Sequence, residues 1–458
     1  MRRTPILLGL LAFARLAQPS PVPAQPVNDP GELLARIRVL PGVAAATAEP
    51  STIDGTLFFQ ISFEQPVDHD DPGGPTFRQR ITLLHRSEAA PTVLGLEGYS
   101  LSSPFPSQRE LTSYLRANQL TVEHRFFPPS SPDPRPWSRL TIAQAAADHH
   151  RIVQSFKSLY TGKWVSTGVS KGGMAAVYHR FFYALDVDAT VPYVAPSSHG
   201  PRDARYVRFL DRVGAPDCRD KLQAFQQAVL ARRGEILPLV PPLAFDIFGT
   251  ERALEFAVVE TPFAFWQYSR FTSCNAVPSP DASAGELFAF LDRVNRVSFF
   301  ADDDLNAYAP YYYQAATELG GPRFDERRLR GQLNFPREDV PATYPPLGVE
   351  KDFDASAMRE VEQWVKSAGQ RLLFIYGAND PWSATAFDVE AANDSYRFFV
   401  NGGDHSSAIH HLPAAKRIFV LTRLRKWLGI SDLDTVRLGA DDKPPRYDAP
   451  TRRELFLR

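Results

Sequence analysis

The chain is poor in several things. Its 458 residues include only two cysteines, Cys218 and Cys274, so at most one internal bridge can form. Charge of one sign is missing as well: 51 Lys and Arg stand against 52 Asp and Glu, for a formal net charge of −1. Without a basic stripe there is no electrostatic footprint for nucleic acid, and none is expected as a partner. Long hydrophobic runs are absent beyond the N-terminus, which excludes a membrane span. No internal repeat and no low-complexity tract appears. With 44% hydrophobic and 22% charged residues, what remains is ordinary globular composition.

Proline is abundant, with 40 residues, many in runs such as Pro128-Pro129-Ser130-Ser131-Pro132. Fixed φ angles there limit the freedom of the unfolded chain. The N-terminus reads as an export signal over 1–24. Arg2-Arg3 gives a positive start, residues 6–14 are apolar but too short to span a bilayer, and Val22-Pro23-Ala24 offers a cleavage site. An exported protein favours a Cys218–Cys274 bridge, worth about 4 kcal/mol by chain entropy. Two unpaired buried thiols are the alternative.

Beyond a Pro- and Ala-rich arm over 25–50, strand patterns recur at 57–63, 77–84, 92–96, 120–126, 163–166, 189–195, 371–376 and 395–400. Helical patterns at 140–159 and 175–182 alternate with several of them. Such alternation predicts a mainly parallel sheet. From 198 to 349 the alternation stops and helical patterns follow one another, as in an inserted cap. The predicted organisation is therefore a sheet-bearing core over 51–197 and 350–430, a helical cap over 198–349, and a tail over 431–458. Asp68-His69-Asp70-Asp71 lies between two strands and reads as a solvated hairpin loop; no metal or cofactor is expected.

The strongest chemical signal is Gly168-Val169-Ser170-Lys171-Gly172, placed between a predicted strand and a predicted helix. In that setting G-x-S-x-G is a nucleophile elbow: the glycines permit a strained turn that projects the serine hydroxyl at the carboxyl end of the sheet. A serine needs a base, and the base needs an orienting carboxylate. Asp380 and His405 each follow a predicted strand, in the chain order Ser…Asp…His of α/β-hydrolases. Asp404 adjoins His405 and is poorly placed to orient it. His124, at a strand end, reads as structural, and His410 and His411 as surface residues. The oxyanion donors expected are the backbone N–H of Lys171 and that of Gly98 or Tyr99. Glu97 reads equally as an anchor for a substrate ammonium and as a loop anchor. Asp302-Asp303-Asp304 reads as a helix start, with binding of a substrate amine as the lesser alternative. Among the cap aromatics, Trp266 and Tyr312 are candidates to line the substrate pocket, while most of the rest form cap core.

Thr167 to Met174 resembles the secreted bacterial tripeptidyl-aminopeptidase family of serine peptidases. So do Val191-Pro192-Tyr193-Val194-Ala195-Pro196 and Phe263-Ala264-Phe265-Trp266-Gln267-Tyr268. More distantly the chain is similar to lysosomal Pro-Xaa carboxypeptidases and dipeptidyl peptidases, through Gln65-Pro66-Val67-Asp68-His69, Glu123-His124-Arg125 and Asp380-Pro381-Trp382. The likeness covers about residues 55–428 and departs at Val169, where glycine is expected. It implies an α/β-hydrolase fold with a helical cap, and release of short peptides from free N-termini, often near proline. Two other functions compete: an esterase or lipase on the same fold, and an exported binding protein without catalysis.

Overall fold

The computed structural model describes residues 29–101 and 104–430. The export segment at 1–24, the first residues of the 25–50 arm and the tail at 431–458 lie outside them. A nine-stranded sheet runs in the order β1-β2-β3-β5-β4-β6-β7-β8-β9. Its strands are β1 (Val43–Glu49), β2 (Leu57–Pro66), β3 (Thr76–His85), β4 (Thr92–Leu96), β5 (Asn118–Val122), β6 (Trp164–Val169), β7 (Ala189–Tyr193), β8 (Leu373–Gly377) and β9 (Tyr396–Val400). β1, β2 and β3 pair antiparallel, β3 meets β5 antiparallel, and every later pairing is parallel. From β2 onward this is the strand order of the α/β-hydrolase fold.

Burial explains the parallel part. Each residue of β4, β5, β7 and β8 is buried, as expected of strands covered on both faces. One face packs against Ile142–Phe156, Lys171–Phe182 and Ala357–Ser367, through Ile152, Phe156, Ala176 and Val361. The other packs against Glu110–Leu115 and Ala414–Leu428, through Leu111, Val420 and Leu424. The Ile142–Phe156 helix begins where Thr141 Oγ1 accepts from the Gln144 amide, and the closing helix ends at Gly429, at φ 64°.

The arm differs from expectation. Pro30–Arg38 is a helix capped by Asp29, burying Leu33 and Ile37, and β1 adds an edge strand to β2. β1 is mostly exposed alanine and carries no apolar alternation, so its pairing partner, not its own pattern, makes it a strand. The 68–71 loop also differs. His69 Nε2 lies 2.7 Å from Asp148 Oδ1, and Asp68 Oδ1 accepts from Gln144 at 2.8 Å. Asp148 is itself gripped by Arg125, with Nε–Oδ2 2.7 Å and Nη2–Oδ1 2.9 Å, both residues fully buried. A buried bidentate pair of this kind fixes the loop to the core.

Between β7 and β8 the chain builds a helical layer with its own hydrophobic cluster, centred on Leu222, Phe225, Val258, Phe265, Phe290 and Leu291. The main helices are Pro216–Ala231, Thr250–Gln267 and Ala284–Val294. Pro262 interrupts the second, where no amide is available for the Val258 carbonyl. Gln226 Nε2 fills that gap, donating to Val258 O at 2.8 Å and Val259 O at 3.2 Å. Cys218 and Cys274 are joined in a disulfide across a separation of 56 residues. Closing a loop of that length stabilises by about 4 kcal/mol on the chain-entropy account. The expected result of Cys218→Ala with Cys274→Ala is a melting midpoint lowered by several degrees. A midpoint unchanged from wild type under non-reducing conditions would count against that contribution.

Candidate active site

β4 and β6 are neighbours, yet the chain leaves β4 for β5 on one side before returning to β6 on the other. At such a reversal the loops beyond the strand ends part and open a crevice. The segments expected to hold the oxyanion and the nucleophile leave β4 and β6 at that point.

Ser170 occupies the turn between β6 and the Lys171–Phe182 helix with φ 56° and ψ −123°, a conformation that costs a non-glycine residue about 1–3 kcal/mol. Its amide donates to Tyr193 O at 2.9 Å, which pins the turn to β7. The flanking glycines are required by contact. A Cβ at Gly168 would lie 2.1 Å from Gly172 O, and one at Gly172 would lie 2.4 Å from Leu96 O. The turn is thus packed directly against the end of β4. Among the described residues, neither the Lys171 nor the Tyr99 amide has an acceptor, so both are free to donate to a negative oxygen.

Asp380 is fully buried at the start of a short 3-10 turn after β8, and its Oδ1 accepts from the Trp382 amide at 3.0 Å. Its Oδ2 lies 2.7 Å from His405 Nδ1. Burial pushes the Asp380 carboxyl up, while His405 pulls it back. An ionised Asp380 places the imidazole proton on Nδ1 and leaves the Nε2 lone pair available. His405 Nε2 is buried and bonds to no described residue; no hydrogen bond joins it to Ser170 Oγ. The two are nevertheless neighbours through shared walls. Ser170, Gln267 and Trp382 line one pocket, the Gln267 carbonyl accepts from the His405 amide at 2.9 Å, and the Trp382 ring centroid lies 6.2 Å from the imidazole. Free-enzyme hydrogen bonds of this type often tighten only on substrate binding.

The loop carrying His405 is held from two sides. Asp404 accepts from the Arg270 amide at 3.0 Å, so its carboxylate is committed to the cap. Buried Glu110 accepts from the amides of Ile409 and His410 at 3.0 and 2.8 Å and from Tyr193 Oη at 2.9 Å. His410 Nδ1 also meets Glu110, at 2.7 Å, so His410 anchors the loop and is no free surface residue. His124 is structural: Nδ1 meets Arg125 O at 2.9 Å and Nε2 meets Tyr178 Oη at 3.1 Å.

The substrate-side residues need correction. Glu97 Oε1 is taken by Arg109 Nη2 at 2.6 Å, which neutralises it and makes it a loop anchor. Trp266 belongs to the cap core: a Cβ at Gly214 would lie 2.0 Å from its ring, and it faces Leu210 and Pro216, away from Ser170. Tyr312 stacks on Tyr344 with centroids 4.2 Å apart and does not line the Ser170 pocket. Tyr99, Tyr311, Gln267 and Trp382 take those places. The side chain of Lys171 was not anticipated either. It is buried, donates from Nζ to Gly98 O at 2.7 Å, and sits over the Tyr99 and Phe127 rings at 5.7 and 5.3 Å. Burial pulls its pKa well below the usual lysine range. Its bond holds the carbonyl of the Gly98–Tyr99 peptide, the peptide whose N–H is the second candidate oxyanion donor. Only its position beside Ser170 in the elbow could have flagged it.

The sequence matches the family described as PS-10 peptidase S37 over residues 29–444. It is 39% identical over 407 residues to the prolyl tri/tetrapeptidyl aminopeptidase of Streptomyces mobaraensis, spanning 86% of this chain and 85% of that protein. Similar solved structures include the proline iminopeptidase of Mycobacterium smegmatis, at 12% identity and TM-score 0.36, covering 80% of this chain and 98% of that one. Another is VinJ, at 14% identity and TM-score 0.37, covering 85% and 100%.

Proposed function

This chain belongs to the PS-10 peptidase S37 family and is a serine peptidase that releases short N-terminal peptides; on that footing we propose an exported exopeptidase that removes tripeptides with a preference for proline at the cut. One observation carries the catalytic reading: Ser170 stands in a strained elbow at the strand reversal, in a pocket walled by neighbours of the bonded Asp380–His405 pair.

In the proposed cycle His405 Nε2 takes the Ser170 proton as Oγ attacks the scissile carbonyl. The tetrahedral oxyanion is held by the Lys171 and Tyr99 amides. Asp380 stabilises the imidazolium, which then protonates the leaving amine; an acyl-enzyme remains on Ser170. Water, activated by the same His405, releases the short peptide. The helical layer over 198–349 acts as the cap, closing the crevice to internal chain segments and giving cleavage from an end. The preference for proline rests on the S. mobaraensis relative's name. Export rests on the 1–24 segment and fits the Cys218–Cys274 disulfide.

The deciding measurement compares a tripeptide chromogenic substrate with its N-acetyl form. A free-end requirement predicts that acetylation lowers kcat/KM by about 100-fold or more, since a charge-recognising site loses its partner. Equal turnover of both forms, or preference for simple esters, would assign the chain to the esterases.

A further inference from the structure

Two backbone segments lead from the Ser170 pocket to a second, larger opening. Ser198 and Gly320 line the pocket. From there the segments run side by side in the same direction. Gly321 N donates to Gly200 O at 2.9 Å, Asp203 N to Gly321 O at 3.0 Å, and Arg323 N to Asp203 O at 3.2 Å. Asp203 and Pro322 form a parallel bridge. A close approach fixes the near end: Gly320 sits at φ 68°, and a Cβ there would lie 2.6 Å from Gly200 O. Three residues on from Gly320, Arg323 stands at most ~11 Å from the pocket wall along this ribbon.

At the far end lies a cleft of about 540 Å³, lined by Arg202, Arg323, Arg327, Arg330 and Arg337 against one carboxylate, Glu326. All five arginines are exposed. Arg327 is spent on Asp211 and Asp325, and Glu326 accepts from the Arg337 amide at 2.8 Å. The other four guanidinium groups form no ion pair with a described residue. The nearby Asp203 carboxylate does not relieve them, since Arg205 and the His199 amide hold it at 2.7 and 3.0 Å. Buried Asp339 meets Arg202 only through space. The whole chain carries a net charge of −1, so this excess of positive charge is local. A cleft lined by one sign of charge concentrates the field and draws in the opposite sign.

We infer that this cleft holds acidic side chains of the peptide substrate about three residues beyond the cut, and so favours substrates whose C-terminal part is acidic. Charge decides the side. The released piece begins with an α-ammonium, which a positive cleft repels, whereas the segment C-terminal to the cut has none. Guanidinium forks match carboxylates in shape as well as in charge. The reach also fits, because three extended residues span about 10 Å, the length of the ribbon from Gly320 to Arg323. This inference rests on the aminopeptidase reading and adds a substrate class to it.

The test uses two hexapeptides with the same first three residues, one continued by three glutamates and the other by three glutamines. kcat/KM is measured in wild type, in Arg323→Gln with Arg330→Gln, and in Arg323→Lys with Arg330→Lys. A tripeptide chromogenic substrate, which carries no peptide beyond the cut, normalises for the catalytic step. Wild type should favour the glutamate peptide about 5- to 20-fold at low ionic strength, mainly through KM, and lose most of that preference at about 0.5 M salt. The glutamine variant should treat the two peptides alike, and the lysine variant should keep part of the preference. A lysine variant as indifferent as the glutamine one would make the effect structural and sink the charge reading. Wild type cutting both peptides equally overturns the inference and leaves the aminopeptidase reading standing. Failure to cut any free-amine substrate removes that reading instead. A preference that survives in the glutamine variant places the acidic subsite elsewhere and overturns the assignment. Retention on dextran sulfate that the glutamine variant loses, with both peptides cut alike, would give the cleft to an anionic surface polymer and not to substrate.

Discussion

Ser170→Ala is expected to yield a folded protein whose turnover of tripeptide substrates falls by about 10⁴- to 10⁶-fold. The loss should lie in kcat, because the hydroxyl forms a bond during reaction but contributes little to ground-state binding. Ser170 lines a pocket and no hydrogen bond among the described residues involves its Oγ, so removing the hydroxyl leaves no bonded partner unsatisfied. Stability should therefore change little. The backbone adds a second, independent readout. φ 56° and ψ −123° belong to glycine more than to any residue with a Cβ. Ser170→Gly should thus be as inactive as the alanine variant and more stable by about 1 kcal/mol. Kinetics and thermal melts on the two variants separate the chemical from the conformational part. An alanine variant that turned over at the wild-type rate would move the nucleophile elsewhere and remove the reason for the strain.

The parts of this protein legible in its sequence are those whose cause is local. The elbow is one, since strand, glycines and helix former lie within a few residues. β4 is another, a five-residue apolar run in which all positions are buried. The closing helix Ala414–Leu428 and its glycine stop are a third. Illegible parts depend on partners distant in the chain. Glu97 could be read two ways until Arg109 was seen to take its carboxylate, and nothing in the pattern around either residue announces that pair. β5 stops at Val122, short of the 126 expected, because Glu123, His124 and Arg125 are apolar-flanked but turn to buried polar partners. Arg125 in particular reaches Asp148 on a helix, and that buried bidentate pair replaces continued strand pairing. Trp266 lay in a run of aromatics where core and pocket residues look alike; only the empty Cβ position at Gly214 explains which way its ring points. Lys171 is the most instructive omission. A lysine after Ser170 looks solvent-facing in sequence, yet its side chain is buried and its Nζ braces the Gly98 carbonyl.

Asp380→Asn is expected to lower kcat by about 10⁴-fold, while Asp404→Asn lowers it by about 10-fold or less. Both carboxylates are buried beside His405, and adjacency in the chain favours Asp404. Geometry favours Asp380: its Oδ2 is 2.7 Å from Nδ1, whereas Asp404 spends its oxygens on the Arg270 and Ser406 amides at 3.0 Å. An asparagine at 380 can present its amide N–H to the imidazole, which moves the ring proton to Nε2 and removes the lone pair that must accept from Ser170. The catalytic loss is therefore one of tautomer, with the scaffold intact. An asparagine at 404 keeps an acceptor for the Arg270 amide and weakens only the docking of the loop to the cap. Steady-state kinetics on the two variants, with circular dichroism to establish folding, settle the choice. Equal losses at the two positions would mean that loop position, and not the orientation of the imidazole by Asp380, limits the reaction.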